Sequence, residues 1–150
     1  QYHEIKKTRL PQLLGVQAAG AAPLVLGHPV EKPETLATAI RIGKPARGEE
    51  ALTAAQSSNG MIISATDNEI LAAQKTLARS GIWVEPASAA GIAGLGINIR
   101  EGKMDLKGKQ VVAICTGHGL KDPDIITNNF KSPKILPPDF NILEEEIING

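Results

Sequence analysis

The sequence predicts an α/β fold with an open, mainly parallel sheet flanked by helices, on three observations. Apolar runs of strand length alternate with helical patterns along most of the chain. One helix carries a clear start signal, and one apolar strand breaks on a hydroxyl and two glycines near the end. With 150 residues the chain is long enough for one ordinary domain. We divide it into an α/β portion over residues 1–130 and a Pro-rich C-terminal tail over residues 131–150.

The first strand is expected within Leu10 to Gln17, followed by AAGAAPLVLG, too rich in Gly and Pro for more than a short turn of helix. In Pro33 to Gly43 (PETLATAIRIG), Pro33 favours a helical first turn, and Ala37, Thr38 and Ala39 permit close backbone approach. Arg47 to Ser58 reads as an amphipathic helix with Ala51, Leu52 and Ala55 on one face, closed by Asn59-Gly60; the strand MIISA follows. Thr66-Asp67-Asn68-Glu69 fits a capping box, in which hydroxyl and carboxylate satisfy backbone N–H groups that the first helical turn leaves over. Ile70, Leu71, Leu77 and Ala78 supply the buried stripe of that helix, and Gly81 stops it.

A short strand IWV then precedes the helix PASAAGIAGLGINIR, from Pro86 to Arg100. Its small residues let another backbone or a cofactor lie close, at about 1 kcal/mol for each interior glycine. The last strand is VVAICT, running into GHGLKDPD. A lone hydroxyl at such a strand end, in place of a charge, suits a ring that must be held without being strongly protonated; the plain alternative is that Thr116 starts a glycine-rich turn. Prolines in Lys131 to Pro138 forbid regular pairing, and Asp139 to Ile148 reads as a terminal acidic helix or frayed tail, with Glu144-Glu145-Glu146 a solvated face. Asp122-Pro-Asp124 reads as a turn or helix start.

Several function classes are excluded or disfavoured. The 16 basic and 16 acidic residues cancel, no basic cluster exceeds Lys6-Lys7, and aromatics are 3% of the chain, so nucleic acid is not an expected partner. No apolar stretch reaches the ~20 residues of a spanning helix, and the N-terminus lacks a secretory pattern; we expect no membrane association and a cytoplasmic location. Gly117 and Gly119 begin a dinucleotide fingerprint, but Asp122 stands where the third glycine is required, and GKPARG lacks the ending of a P-loop. His3, His28 and His118 have no metal-ligand spacing, so no metal is expected. The single Cys115 is expected to be a small buried hydrophobe; paired with His118 as a nucleophile it would lack an orienting third group.

Three segments taken together, PETLATAIRIGKPA, WVEPASAAGIAGL and VVAICTGHGLKDPD, in this order and at these separations, resemble the C-terminal part of the threonine synthase family. The resemblance runs from LPQLLGVQAAGAAPLVLGHPV through KDPD. It implies a tryptophan synthase β-type fold, of whose large domain this chain is a part, and a pyridoxal-phosphate enzyme that converts O-phosphohomoserine and water to threonine and phosphate. By that resemblance Thr116 holds the position whose hydroxyl bonds the pyridine nitrogen, Ala39 and Ile40 border the cofactor ring, and Glu85 faces the same cleft. A neutral hydroxyl leaves the ring nitrogen largely unprotonated, where a carboxylate would stabilise the pyridinium. Packing alternatives stand beside two of these: Ala39 as a close-packing residue, and Glu85 as a partner of the helix N-terminus at Pro86.

One departure from the family pattern is large. The Schiff-base lysine, the loop that holds the cofactor phosphate, and most groups for the substrate phosphate lie upstream of the matched part in this family. None of the eleven lysines here sits in the matching context. The expectation is a chain with no catalytic residue of its own, inactive by itself and not retaining the cofactor, whose partners are the N-terminal part of the same enzyme, a small-molecule substrate and other copies of the chain. The rival readings are a threonine dehydratase or β-replacement synthase of the same fold, and a non-catalytic binding module.

Overall fold

The computed structural model describes residues 10–129 and 134–149. The N-terminal stretch with His3 and Lys6-Lys7, and the start of the Pro-rich segment at Lys131 to Pro133, lie outside the described residues.

Two strands, β1 (Leu14–Ala18) and β2 (Met61–Ala65), pair in parallel with Leu14 opposite Met61 and Ala18 opposite Ala65. Parallel neighbours require a crossover. Here it contains the short helix α1 (Pro23–Leu26), a 3₁₀ turn at Thr38–Ile40, and α2 (Gly48–Ser57). After β2 come α3 (Asp67–Arg79) and α4 (Pro86–Arg100), then a 3₁₀ turn at Gly119–Lys121, α5 (Pro123–Asn129) and α6 (Phe140–Asn149). The parallel α/β class and all the expected long helices are observed.

The core forms where α3 and α4 pack on each other and α4 lies across the two strands. It consists of small side chains around one large one: Ala18, Ala65, Ala73, Ala89, Ala90 and Ala93 surround the fully buried Ile70. Gly94 explains how close α4 comes. A Cβ there would stand 2.3 Å from Val16 Cγ2, so any larger residue would push the helix off the sheet. The small-residue helix is therefore used, along this face, for helix-on-sheet contact.

At Thr66 the capping box is complete: the Thr66 hydroxyl accepts from Glu69 N at 3.3 Å, and the Glu69 carboxylate accepts from Thr66 N at 2.9 Å. The Thr66 backbone N–H, then the Thr66 hydroxyl, with Arg100 adding, hold the Glu69 carboxyl below its ordinary range against partial burial. Glu69 also meets Arg100 at 2.9 Å, which ties the start of α3 to the end of α4.

Five expectations about helices and strands are corrected. Pro33 starts no helix: the Asp67 carboxylate accepts from Leu36 N at 3.0 Å and from the Thr35 hydroxyl at 2.5 Å, and so draws that segment into a loop. On α2 only Ala55 is buried, while Ala51 is exposed. The buried stripe of α3 is Ile70, Ala73 and Gln74, with Leu77 packing against the core from its rim, whereas Leu71 and Ala78 are half-buried. Gln74 enters the stripe because its amide donates to Val84 O at 2.7 Å, a local satisfaction that periodicity of apolar residues does not register.

The other two corrections concern strands. IWV joins no sheet; Val84 makes a single antiparallel bridge with His118. VVAICT joins no sheet and is exposed, with Val112 at 88% and Ile114 at 80% exposure. Strand hydrogen bonds need a neighbouring edge, and among the described residues no strand pairs with 111–116. Cys115 is accordingly exposed, not buried. The terminal helix α6 forms where expected and buries none of its side chains.

Candidate functional site

Three segments far apart in sequence are fastened together around the N-terminus of α4. Glu85 is its N-cap residue, and Pro86 sets the first turn with a ring that needs no hydrogen-bond acceptor. The loop that follows Thr116 docks here through its backbone: Glu85 N donates to Gly117 O at 3.0 Å, and Gly119 N donates to Trp83 O at 3.3 Å. IWV thus pairs with a loop where a sheet strand was expected.

Side chains complete the fastening. Ser88 Oγ accepts from Gly117 N at 2.7 Å and lies 3.2 Å from Thr116 Oγ1. The Glu85 side chain is 3% exposed and meets Lys121 Nζ at 3.4 Å. Gly117 crosses directly over that carboxylate: a Cβ at position 117 would stand 2.0 Å from Glu85 Oε1, so the loop reaches this depth only without a side chain. The 3₁₀ turn joins from the other side, for the Thr38 hydroxyl donates to Asp122 Oδ2 at 2.6 Å and the turn packs on α4.

Each candidate residue can now be placed. Thr116 is exposed, with its oxygen held from behind by Ser88. Glu85 is buried beneath the loop. Ile40 packs against the core, whereas Ala39, its neighbour in the turn, is exposed, so its small size is not required by a buried contact. The turn itself is supported from below: Thr35 is held by Asp67, Ala37 N donates to Thr35 Oγ1 at 3.0 Å, and Arg41 Nε donates to Thr35 O at 3.0 Å. His118 uses Nδ1 to accept from Leu120 N and caps the second 3₁₀ turn, a structural use that accounts for it. No group of three His, Cys, Asp or Glu side chains among the described residues could hold a metal ion.

Sequence reasoning singled out Thr116 and Glu85 but passed over Ser88 and Lys121. Ser88 lies inside EPASAA, and the signal available was its position one helical turn after the N-cap, where a hydroxyl can face an arriving loop. A groove of about 340 Å³ also runs along α3 and α4, lined by Ala72, Ala73, Ile92, Gly96 and the Glu69–Arg100 pair. It contains none of the candidate residues and is a seam between two packed helices.

The family description for pyridoxal-phosphate dependent enzymes matches residues 2–117. The chain belongs to this family. It is similar to the threonine synthase of Mycobacterium leprae, 52% identical over 140 residues that cover 93% of this chain and 39% of that protein. It is 47% identical to the threonine synthase of Halalkalibacterium halodurans, over all of this chain and 43% of that protein, and 49% identical to that of Synechocystis, over 86% and 34%. The matched part is the C-terminal portion of these relatives, and the chain spans about two fifths of their length. The α/β architecture with its parallel strands is that of the pyridoxal-phosphate family's tryptophan synthase β-type fold.

A pyridine nitrogen, as in the family's cofactor, needs a single directional partner, and Thr116 is an exposed residue whose hydroxyl oxygen is held by Ser88, a chemistry that fits it. The side chain of Lys121, the lysine nearest this loop in sequence, is turned to Glu85. No helix among the described residues is long and apolar enough to cross a membrane.

Proposed function

We propose that this chain forms the C-terminal portion of a threonine synthase, whose intact form converts O-phospho-L-homoserine and water to L-threonine and phosphate. The observation that carries the reading is the meeting of three separate segments, LATAIRIG, EPASAA and TGHGLKDPD, at the N-terminus of α4, with the exposed residue Thr116 at their junction. Agreement with threonine synthases near 50% identity over most of the chain supports it.

In this reading pyridoxal phosphate, when bound, supplies an electron sink for chemistry at the substrate's carbon chain. This chain supplies positioning. Thr116 meets the pyridine nitrogen with a neutral hydroxyl; Ala39 and Ile40 border the ring; Glu85, buried beneath Gly117 and paired to Lys121, fixes the height of the loop that carries Thr116. The lysine that anchors the cofactor and the cradle for its phosphate come, on this reading, from an N-terminal portion that is also the chain's partner, so the isolated chain is inactive and does not retain the cofactor. The exposed apolar run 111–116 is a surface that such a partner would cover, and in its absence it invites self-association.

Two experiments test this. Phosphate release from O-phosphohomoserine, with threonine formed in equal amount, is expected of the intact enzyme carrying this chain; ammonia release from threonine, or replacement of a β-substituent, would assign it to a dehydratase or β-replacement synthase instead. The isolated chain is expected to stay colourless with added pyridoxal phosphate, and a borohydride-stable adduct on one specific lysine would overturn that. In the intact enzyme Thr116→Asp is expected to shift the cofactor absorbance and impair turnover.

A further inference from the structure

We infer that Ser88 is the positioning residue that makes Thr116 a hydrogen-bond donor toward its ligand. The inference rests on the reading of Thr116 given above and goes beyond it, because it names the residue that fixes which way the Thr116 hydroxyl points its proton. Gly117 N–H can only donate, so Ser88 Oγ is an acceptor in that 2.7 Å bond. Ser88 then has one hydrogen to place and is only 5% exposed, so water cannot take it. A buried hydroxyl hydrogen without an acceptor is costly. Thr116 Oγ1, at 3.2 Å, is the side-chain acceptor within reach.

Thr116 itself is exposed, and its own hydrogen carries no such constraint. Burial therefore decides a bond that distance alone leaves ambiguous: Ser88 donates to Thr116, and the Thr116 hydrogen points outward. The chain Gly117 N–H, Ser88 O–H, Thr116 O–H runs in one direction, and each bond polarises the next. Its open end is a donor. A donor matches a pyridine nitrogen that keeps its lone pair and opposes one that carries a proton. The opposite direction would leave Thr116 able only to accept, and so select the protonated ring.

The test uses the holoenzyme loaded with pyridoxal phosphate labelled with ¹⁵N in the ring. The unsubstituted protein is expected to give the shift of an unprotonated, hydrogen-bonded pyridine nitrogen. Thr116→Val removes the donor and moves the signal toward that of an unbonded pyridine. Ser88→Ala is expected to move it the same way by a smaller amount, with cofactor affinity weakened about five-fold for one neutral hydrogen bond, and Ser88→Thr to restore it. An unmoved signal in Ser88→Ala, with a moved one in Thr116→Val, overturns the role of Ser88 alone. An unmoved signal in Thr116→Val overturns the contact between Thr116 and the ring. A pyridinium shift in the unsubstituted protein overturns the assigned direction. Should Ser88→Ala not fold, Ser88→Cys, whose thiol donates weakly, carries the same comparison: an intermediate shift supports the inference and an unchanged one removes it.

Discussion

The segment from Leu14 to Arg100 and the more apolar segment from Val111 to Thr116 have opposite fates. In the first, two strands find each other, and a helix made of small residues comes down on them close enough to bury Ile70 completely. In the second, a more apolar run joins no sheet and lies open to solvent. Apolar character drives burial only where a neighbour exists to bury against, and a strand carries in addition a row of backbone groups that a neighbour must satisfy. The contrast separates parts of the chain that fold on contacts of their own from parts that wait for contacts elsewhere.

Ile70→Ala should have the largest effect, a loss of about 2–5 kcal/mol in denaturant unfolding, because the side chain is fully buried and its cavity cannot be refilled by the alanines around it. Gly94→Ala should cost roughly 1–3 kcal/mol, since its Cβ would press on Val16 and Ile63; a neutral result would show that α4 slides freely over the sheet. Thr66→Ala should cost about 1 kcal/mol by removing the cap of α3, measured by thermal or chemical unfolding.

Acid sharpens the same comparison. The Glu69 carboxyl is held below its ordinary range in the folded chain, so its contribution is complete above the unfolded carboxylate range and disappears as pH falls through the depressed folded value. Stability of the packed segment should therefore decline on acidification, and Glu69→Gln should flatten that part of the profile. The smallest effect belongs to the other segment. Ile114→Ser in the isolated chain should change stability by no more than about 0.5 kcal/mol, since the side chain is already in water. A large loss there would mean that 111–116 is buried after all.

Much of the fold was legible because its signals are local. The capping box at Thr66, the proline at the start of α4 and the strands LGVQA and MIISA each declare themselves within a few residues. The failures share a cause. Pro33 yielded to Asp67, which lies more than thirty residues along the chain, and Gln74 is buried because of a carbonyl ten residues away. IWV and VVAICT have the composition of strands, but a strand is a relation between two segments and composition describes one. At the site, Thr116 and Glu85 stood out through their motifs, while Ser88 acquires its role from Gly117, twenty-nine positions distant.

Trp83, the single tryptophan of the chain, lies against Gly119, where a Cβ would come within 2.2 Å of the indole Nε1. Its indole is therefore in contact with the very loop that presents Thr116. Fluorescence from this protein has one indole source, and its wavelength and quenching will register whether that loop is seated or lifted. The molecule carries a built-in optical gauge of its own docking, readable with no label attached.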